Sequence, residues 1–156
     1  VGLLDDEPQV RVSGAQALGC SPVAEAFLTE SDTIKPVKPS TIAKSLAIGN
    51  PADGDYAIES ARASGGGFFS VPEADIADNI VELAHATGVW GETAPAVTFG
   101  ALKEAVARGA VGPNDRVVLV VSGDGLKTPG LVSHLVEAIT IPPDADVVLD
   151  LVGAAV

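Results

Sequence analysis

The residues best placed to do chemistry are Ser122-Gly123-Asp124-Gly125-Leu126-Lys127, which bring together a hydroxyl, a carboxylate, an amine and two glycines directly after a β-branched run, Arg116 to Val121. In open parallel sheets ligands bind beyond the carboxyl ends of the strands, so this is the loop where a ligand is expected. Glycines let the backbone approach a ligand, and a serine hydroxyl at a strand tip can donate to or accept from a ring nitrogen or a phosphate. The plainer reading is a tight strand-to-helix turn with no ligand. A third reading is a dinucleotide fingerprint, because Asp146 and Asp150 follow about twenty residues later. That pattern fails in detail: Thr128 stands where the third glycine belongs, Pro129 intervenes, and Asp124 would set a negative charge where a pyrophosphate should lie.

Other reactive side chains offer less. His85 and His134 each fall in a helical pattern without a partner for proton transfer. Cys20 follows Gly19 at a helix start, where its pKa could fall, but a small buried thiol is the commoner outcome. Gln16 could reach a pocket from a strand end or bond a neighbouring loop. Trp90 and the Phe68-Phe69 pair read as core. One cysteine and two separated histidines do not make a metal site, and no disulfide can form within the chain.

The elements that would position these residues form one unit. The chain has 156 residues, nearly half of them apolar, enough for a single core over 1–156. Its 21 acidic and 9 basic side chains give a net charge of -12, with the basic groups scattered, which excludes a nucleic-acid backbone as partner. No apolar run reaches the roughly 18 residues of a membrane span, and the start lacks the basic head of a secretory signal, so a cytoplasmic location is expected. Methionine is absent altogether, which predicts that position 1 is interior to a longer chain or follows processing.

Alternation of apolar and polar residues predicts a strand over Gln9–Ser13, and Val23, Ala26 and Phe27 share a helical face over Pro22–Glu30. Thr29–Ser40, with Pro36 and Pro39, reads as a surface loop, followed by a short helix over Thr41–Leu46. A helix over Tyr56–Ser64 ends at three glycines, and Phe68–Val71 reads as a strand. Ser70 with Glu73 fits a capping box, Pro72 suits the first turn, and Ile76, Ile80, Leu83 and Ala84 recur at helical spacing up to Gly88. A further helix is expected over Ala94–Arg108, stopped by Gly109. Arg116–Val121 reads as a strand buried on both faces, Leu131, Leu135 and Ile139 as a helix, and Val147–Val152 as a last strand. The alternation predicts an α/β fold with a mostly parallel sheet flanked by helices.

Four segments carry a family resemblance. Pro8 to Pro22 is similar to the threonine synthase segment that ends Gln-Ala-x-Gly-Cys-x-Pro, and Thr41 to Ala52 resembles that family's Ile-Gly-Asn-Pro-Ala loop. Glu92-Thr93-Ala94 resembles its Glu-x-Ala helix start, and Ser122 to Lys127 its Thr-Gly-Asn-Gly-Leu-Lys. By their order and spacing the chain resembles the C-terminal half of a threonine synthase, which implies part of the large domain of a fold type II pyridoxal-phosphate enzyme.

The resemblance implies a lyase of threonine biosynthesis that converts O-phosphohomoserine and water into threonine and phosphate. It implies pyridoxal 5'-phosphate as cofactor, with Ser122 and Gly123 at the pyridine nitrogen and Gly49, Asn50, Pro51 and Ala52 lining the ring. Glu92 resembles an acidic residue near the cofactor in tryptophan synthase β, while an acid at a helix start also stabilises the helix dipole. Serine replaces the usual threonine at 122 and keeps the hydroxyl; Asp124 replaces an asparagine and adds a charge. The Schiff-base lysine belongs to an N-terminal motif that this chain does not contain, so no catalytic residue is assigned here. The expected partners are the N-terminal half of the same enzyme and a small amino-acid substrate, and a homodimer is compatible with that reading. Three alternatives remain: another fold type II enzyme such as threonine deaminase, a nicotinamide-binding domain, and a noncatalytic regulatory or assembly module.

Overall fold

The computed structural model describes residues 10–135 and 139–153. Two strands, β1 (Gly14–Ala17) and β2 (Phe68–Val71), pair in parallel with Gly14 opposite Phe68 and Ala17 opposite Val71. Between them the chain runs through helices α1 (Pro22–Leu28) and α2 (Gly54–Ser64); after them come α3 (Ile76–Thr87), α4 (Thr93–Ala107) and α5 (Ala145–Gly153).

Strand periodicity sorts the side chains onto two faces. Ala15, Ala17, Phe69 and Val71 point to one side and pack with Ile76 and Ile80 of α3 and with Ala96, Val97, Ala101 and Ala105 of α4. Phe68 points to the other side, into a smaller cluster with Val23, Ala24 and Ala26 of α1 and Ile58 and Ala61 of α2. Helices on both faces of a parallel pair, joined by a helical crossover, make this the α/β arrangement that the alternating pattern predicts.

The close spacing of these layers depends on small residues. A Cβ on Gly14 would run into the Phe68 ring, and one on Gly100 of α4 would strike Asn79 of α3 and Val71 of β2. Gln16, on the α1 side of β1, accepts hydrogen bonds from the Val23 and Ala24 amides at 3.0 and 2.9 Å. Those are donors of the first turn that a helix cannot satisfy internally, so the strand itself caps α1. Helix α2 stops at Gly65, whose φ of 70° is the left-handed conformation that glycine adopts without strain.

Several elements differ from the sequence expectation. Residues 10–13 are unpaired and the ladder starts one step later, at Gly14, whose amide donates to the Gly67 carbonyl at 2.8 Å; Gln9 lies outside the described residues. Val10 and Val12 alternate as a strand does but have no neighbour to pair with. Thr41–Leu46 tightens into a 3-10 turn only over Lys44–Leu46. No capping box forms between Ser70 and Glu73, because the Glu73 side chain bonds elsewhere.

The run Arg116–Val121 is not a strand among the described residues, and Val118 is 91% exposed. A β-branched run becomes a central strand only where neighbouring strands supply its hydrogen bonds, and β1 and β2 pair with each other alone. The helix expected through Leu131, Leu135 and Ile139 is broken into 3-10 turns at Pro129–Leu131 and Ser133–Leu135, with part of its span at 136–138 outside the described residues. The last strand expected at Val147–Val152 is instead α5. Asp144 starts it by accepting a 2.9 Å hydrogen bond from the Asp146 amide, a local cap that outweighs the β propensity of three valines.

The α3–α4–sheet layer therefore holds the main core. Ile80→Ala, a truncation at a site only 2% exposed, should cost about 2–5 kcal/mol in chemical denaturation. Glu82→Ala, which removes a surface ion pair to Lys103, should cost at most about 1 kcal/mol.

Candidate functional site

Two of the residues singled out by sequence, Glu92 and Gly123, meet at the N-terminal end of α4. Glu92 is the residue that precedes that helix, and it is 4% exposed. Its Oε1 accepts a hydrogen bond from the Ser45 hydroxyl and its Oε2 one from the Thr93 hydroxyl, each at 3.0 Å. No ion pair reaches it among the described residues. Two hydroxyl donors and a helix N-terminus thus replace the water that burial removes.

The Ser122–Lys127 loop is laid against this carboxylate. The Glu92 amide donates to the Gly123 carbonyl at 3.0 Å, and the Gly125 amide donates to the Trp90 carbonyl at 2.9 Å, with Gly91 and Asp124 forming an antiparallel bridge between the two. The fit is tight enough to require glycine twice: a Cβ on Gly123 would collide with the Glu92 side chain, and one on Gly125 with the Trp90 indole. Trp90, expected in the core, is 40% exposed and serves as the floor of this loop. Asp124 turns back to accept a 2.8 Å hydrogen bond from the Leu126 amide, closing the Gly125–Lys127 turn. Ser122 stands exposed at the head of the loop, and among the described residues its hydroxyl has no hydrogen-bond partner.

The Gly49–Ala52 loop lies next in the chain to a segment bonded to the same carboxylate. It follows the Lys44–Leu46 turn that presents Ser45 to Glu92. Gly49 lies against the backbone of Val37, whose amide donates to the Gly49 carbonyl at 2.9 Å, and the space a Cβ would need is filled by the Val37 carbonyl. Asn50 and Ala52 are exposed and Pro51 is half-buried. Glu92 therefore meets Gly123 directly, while Gly49–Ala52 is connected to it only along the chain, Ser45 lying four residues before Gly49.

A second carboxylate steadies the approach to it. Glu73 Oε1 accepts from the Gly19 amide at 3.0 Å, while Oε2 accepts from the Thr41 hydroxyl and the Ile42 amide, both at 2.9 Å. This fastens the segment before the Lys44–Leu46 turn to the end of β1. Neither Glu73 in this role nor the Ser45 and Thr93 hydroxyls could be found from sequence, because each acts on a residue more than thirty positions away or on an adjacent side chain with no characteristic spacing. His85 and His134 are exposed and away from this cluster, and Gln16 caps α1. Among the described residues no group of His, Cys, Asp and Glu could hold a metal ion, and no helix is long and apolar enough to cross a membrane.

Residues 1–123 match the family model described as pyridoxal-phosphate dependent enzyme. The chain belongs to that family. It is 34% identical to threonine synthase from Methanocaldococcus jannaschii over 129 residues, covering 82% of this chain and 31% of that protein. It is 32% identical to threonine synthase from Mycobacterium leprae over 154 residues, covering 97% of this chain and 40% of that protein. The chain thus spans between about three tenths and two fifths of the length of these curated relatives. The fold superposes on the crystal structure of Escherichia coli threonine synthase with a TM-score of 0.62 at 15% identity, covering 85% of this chain and 31% of that one. It superposes on maize serine racemase with a TM-score of 0.57 at 18% identity, covering 80% and 39%.

The residues present fit one side of the family's cofactor. Ser122 offers an exposed neutral hydroxyl with no partner among the described residues, which suits a ring nitrogen, and Asn50 and Ala52 are exposed beside a Gly49 whose own open side is taken by the Val37 carbonyl. The nicotinamide alternative has no such support, since the Gly123–Thr128 turn neither follows a paired strand nor opens a long helix.

Cys20 does not belong to this chemistry. It is 1% exposed, and burial, with Glu73 adding negative charge nearby, pushes its thiol up from the ordinary range. Alkylation by iodoacetamide at pH 8 should therefore be slow in the folded chain and reach the rate of a free thiol only in denaturant; rapid labelling under native conditions would contradict this placement.

Proposed function

We propose that this chain is the C-terminal part of a threonine synthase and contributes the ring-facing wall of its pyridoxal phosphate site. The single observation that carries the reading is the exposed Ser122 hydroxyl, without a partner among the described residues, at the head of a loop that Gly123 presses onto buried Glu92, in a chain whose relatives are threonine synthases. When bound, the cofactor supplies an electron sink for negative charge that develops on the substrate. Ser122 and Gly123 meet the ring nitrogen. A hydroxyl there, unlike a carboxylate, need not keep that nitrogen protonated, which limits how far charge spreads and helps steer the reaction. Gly49, Asn50, Pro51 and Ala52 line the ring, with Asn50 as the polar group of that loop. Glu92 would contribute by holding Gly123 and the Ser45 turn in place.

The proposed reaction is the conversion of O-phosphohomoserine and water to threonine and phosphate. The lysine that would hold the cofactor and the groups that would hold its phosphate and the substrate phosphate come, in this reading, from the N-terminal half of the enzyme. The exposed valines at 117, 118, 120 and 121 and the apolar side chains of α5 support a companion polypeptide that covers them. Isolated, the chain is proposed to be inactive.

Inorganic phosphate released from O-phosphohomoserine in the presence of pyridoxal phosphate tests this. The chain alone should release none, and mixing it with the remaining N-terminal portion of a threonine synthase should give release that depends on both pieces. Phosphate release by the chain alone would overturn the incompleteness. A reassembled enzyme that leaves O-phosphohomoserine intact but deaminates threonine would move the assignment to another fold type II activity.

A further inference from the structure

We infer that Ser45 is a positioning residue for the Ser122 loop and acts through Glu92. That Ser122 faces a cofactor ring rests on the function proposed above; the mechanical link does not. Ser45 sits at the surface on the Lys44–Leu46 turn, where nothing local requires a hydroxyl, and its Oγ donates to Glu92 Oε1 at 3.0 Å. The other carboxylate oxygen is bonded by the adjacent Thr93, so the two hydroxyls together set the rotation of the carboxylate. That rotation matters because the Glu92 side chain is the surface on which Gly123 rests without room for a Cβ.

The neighbouring contacts pass the position on. Glu92 and Gly125 donate backbone hydrogen bonds to Gly123 and Trp90 respectively, so a carboxylate that swings away from Ser45 pushes against Gly123 and strains both. Ser122 precedes Gly123 and has no other tether among the described residues. The hydroxyl of Ser45 thereby sets, through Glu92 and Gly123, the backbone position from which Ser122 projects, and the Gly49–Ala52 loop begins four residues further along the same segment.

Trp90 is the chain's one tryptophan and its indole packs on Gly125, so its fluorescence reports the loop without any cofactor. In the full chain, Ser45→Ala should shift Trp90 emission to the red and speed hydrogen exchange at the Glu92 and Gly125 amides by about tenfold or more, as expected for loss of a hydrogen bond to a charged group. Amides in β1, β2 and α3 should keep their protection. Ser45→Thr, which retains the hydroxyl, should restore both signals toward the parent, a rescue that a change in turn stability alone would not give. Unchanged emission and exchange in Ser45→Ala, or failure of Ser45→Thr to rescue them, would overturn the inference. Absence of pyridoxal phosphate binding in the reassembled enzyme, with the Ser45 signals as expected, would overturn the cofactor reading alone.

Discussion

A carboxylate withdrawn from water needs hydrogen-bond donors, and the candidate site is organised around how Glu92 finds them. One donor comes from the turn that precedes Gly49–Ala52 and one from the first residue of α4, while the Ser122 loop closes over the side chain through a glycine. None of the loops involved belongs to a sheet or a long helix. Their relative placement is set by this polar junction, with Glu73 fixing the segment upstream of it. The apolar core positions α4; the buried carboxylate at its end positions the loops.

This division of labour explains what the sequence makes legible. Apolar spacing marks α1, α2, α3 and α4 with ends correct to within a few residues, because each buries a continuous face against the two-stranded sheet. Glycine stops at 65 and 88 are readable because the left-handed backbone there favours that residue. Strand β2 is readable because Phe68 and Phe69 fill opposite faces. Strand β1 is shifted, since Val10 and Val12 show the alternation of a strand but the pairing is decided by where a partner lies.

The C-terminal third shows why periodicity fails without its surroundings. Arg116–Val121 has the composition of a central strand, and Val147–Val152 that of another, yet neither has a strand beside it among the described residues. Local preferences then decide: the first stays unpaired and largely exposed, and the second follows the Asp144 cap into a helix. The motifs that carry the candidate site residues are visible in the sequence, but the side chains that brace them are not. Glu73 presents a helix-capping pattern in sequence and performs a cross-link in space, and nothing in the spacing of Ser45 and Glu92, 47 positions apart, announces their contact.

The central claim is that one carboxylate holds both loops. Amide hydrogen exchange of Glu92→Ala, compared with the parent chain, tests it most directly. The account predicts that Leu46–Gly49 and Gly123–Gly125 lose protection together, while the β1–β2 ladder and α3 remain protected. Loss of protection in only one of the two segments, or in neither, would contradict it.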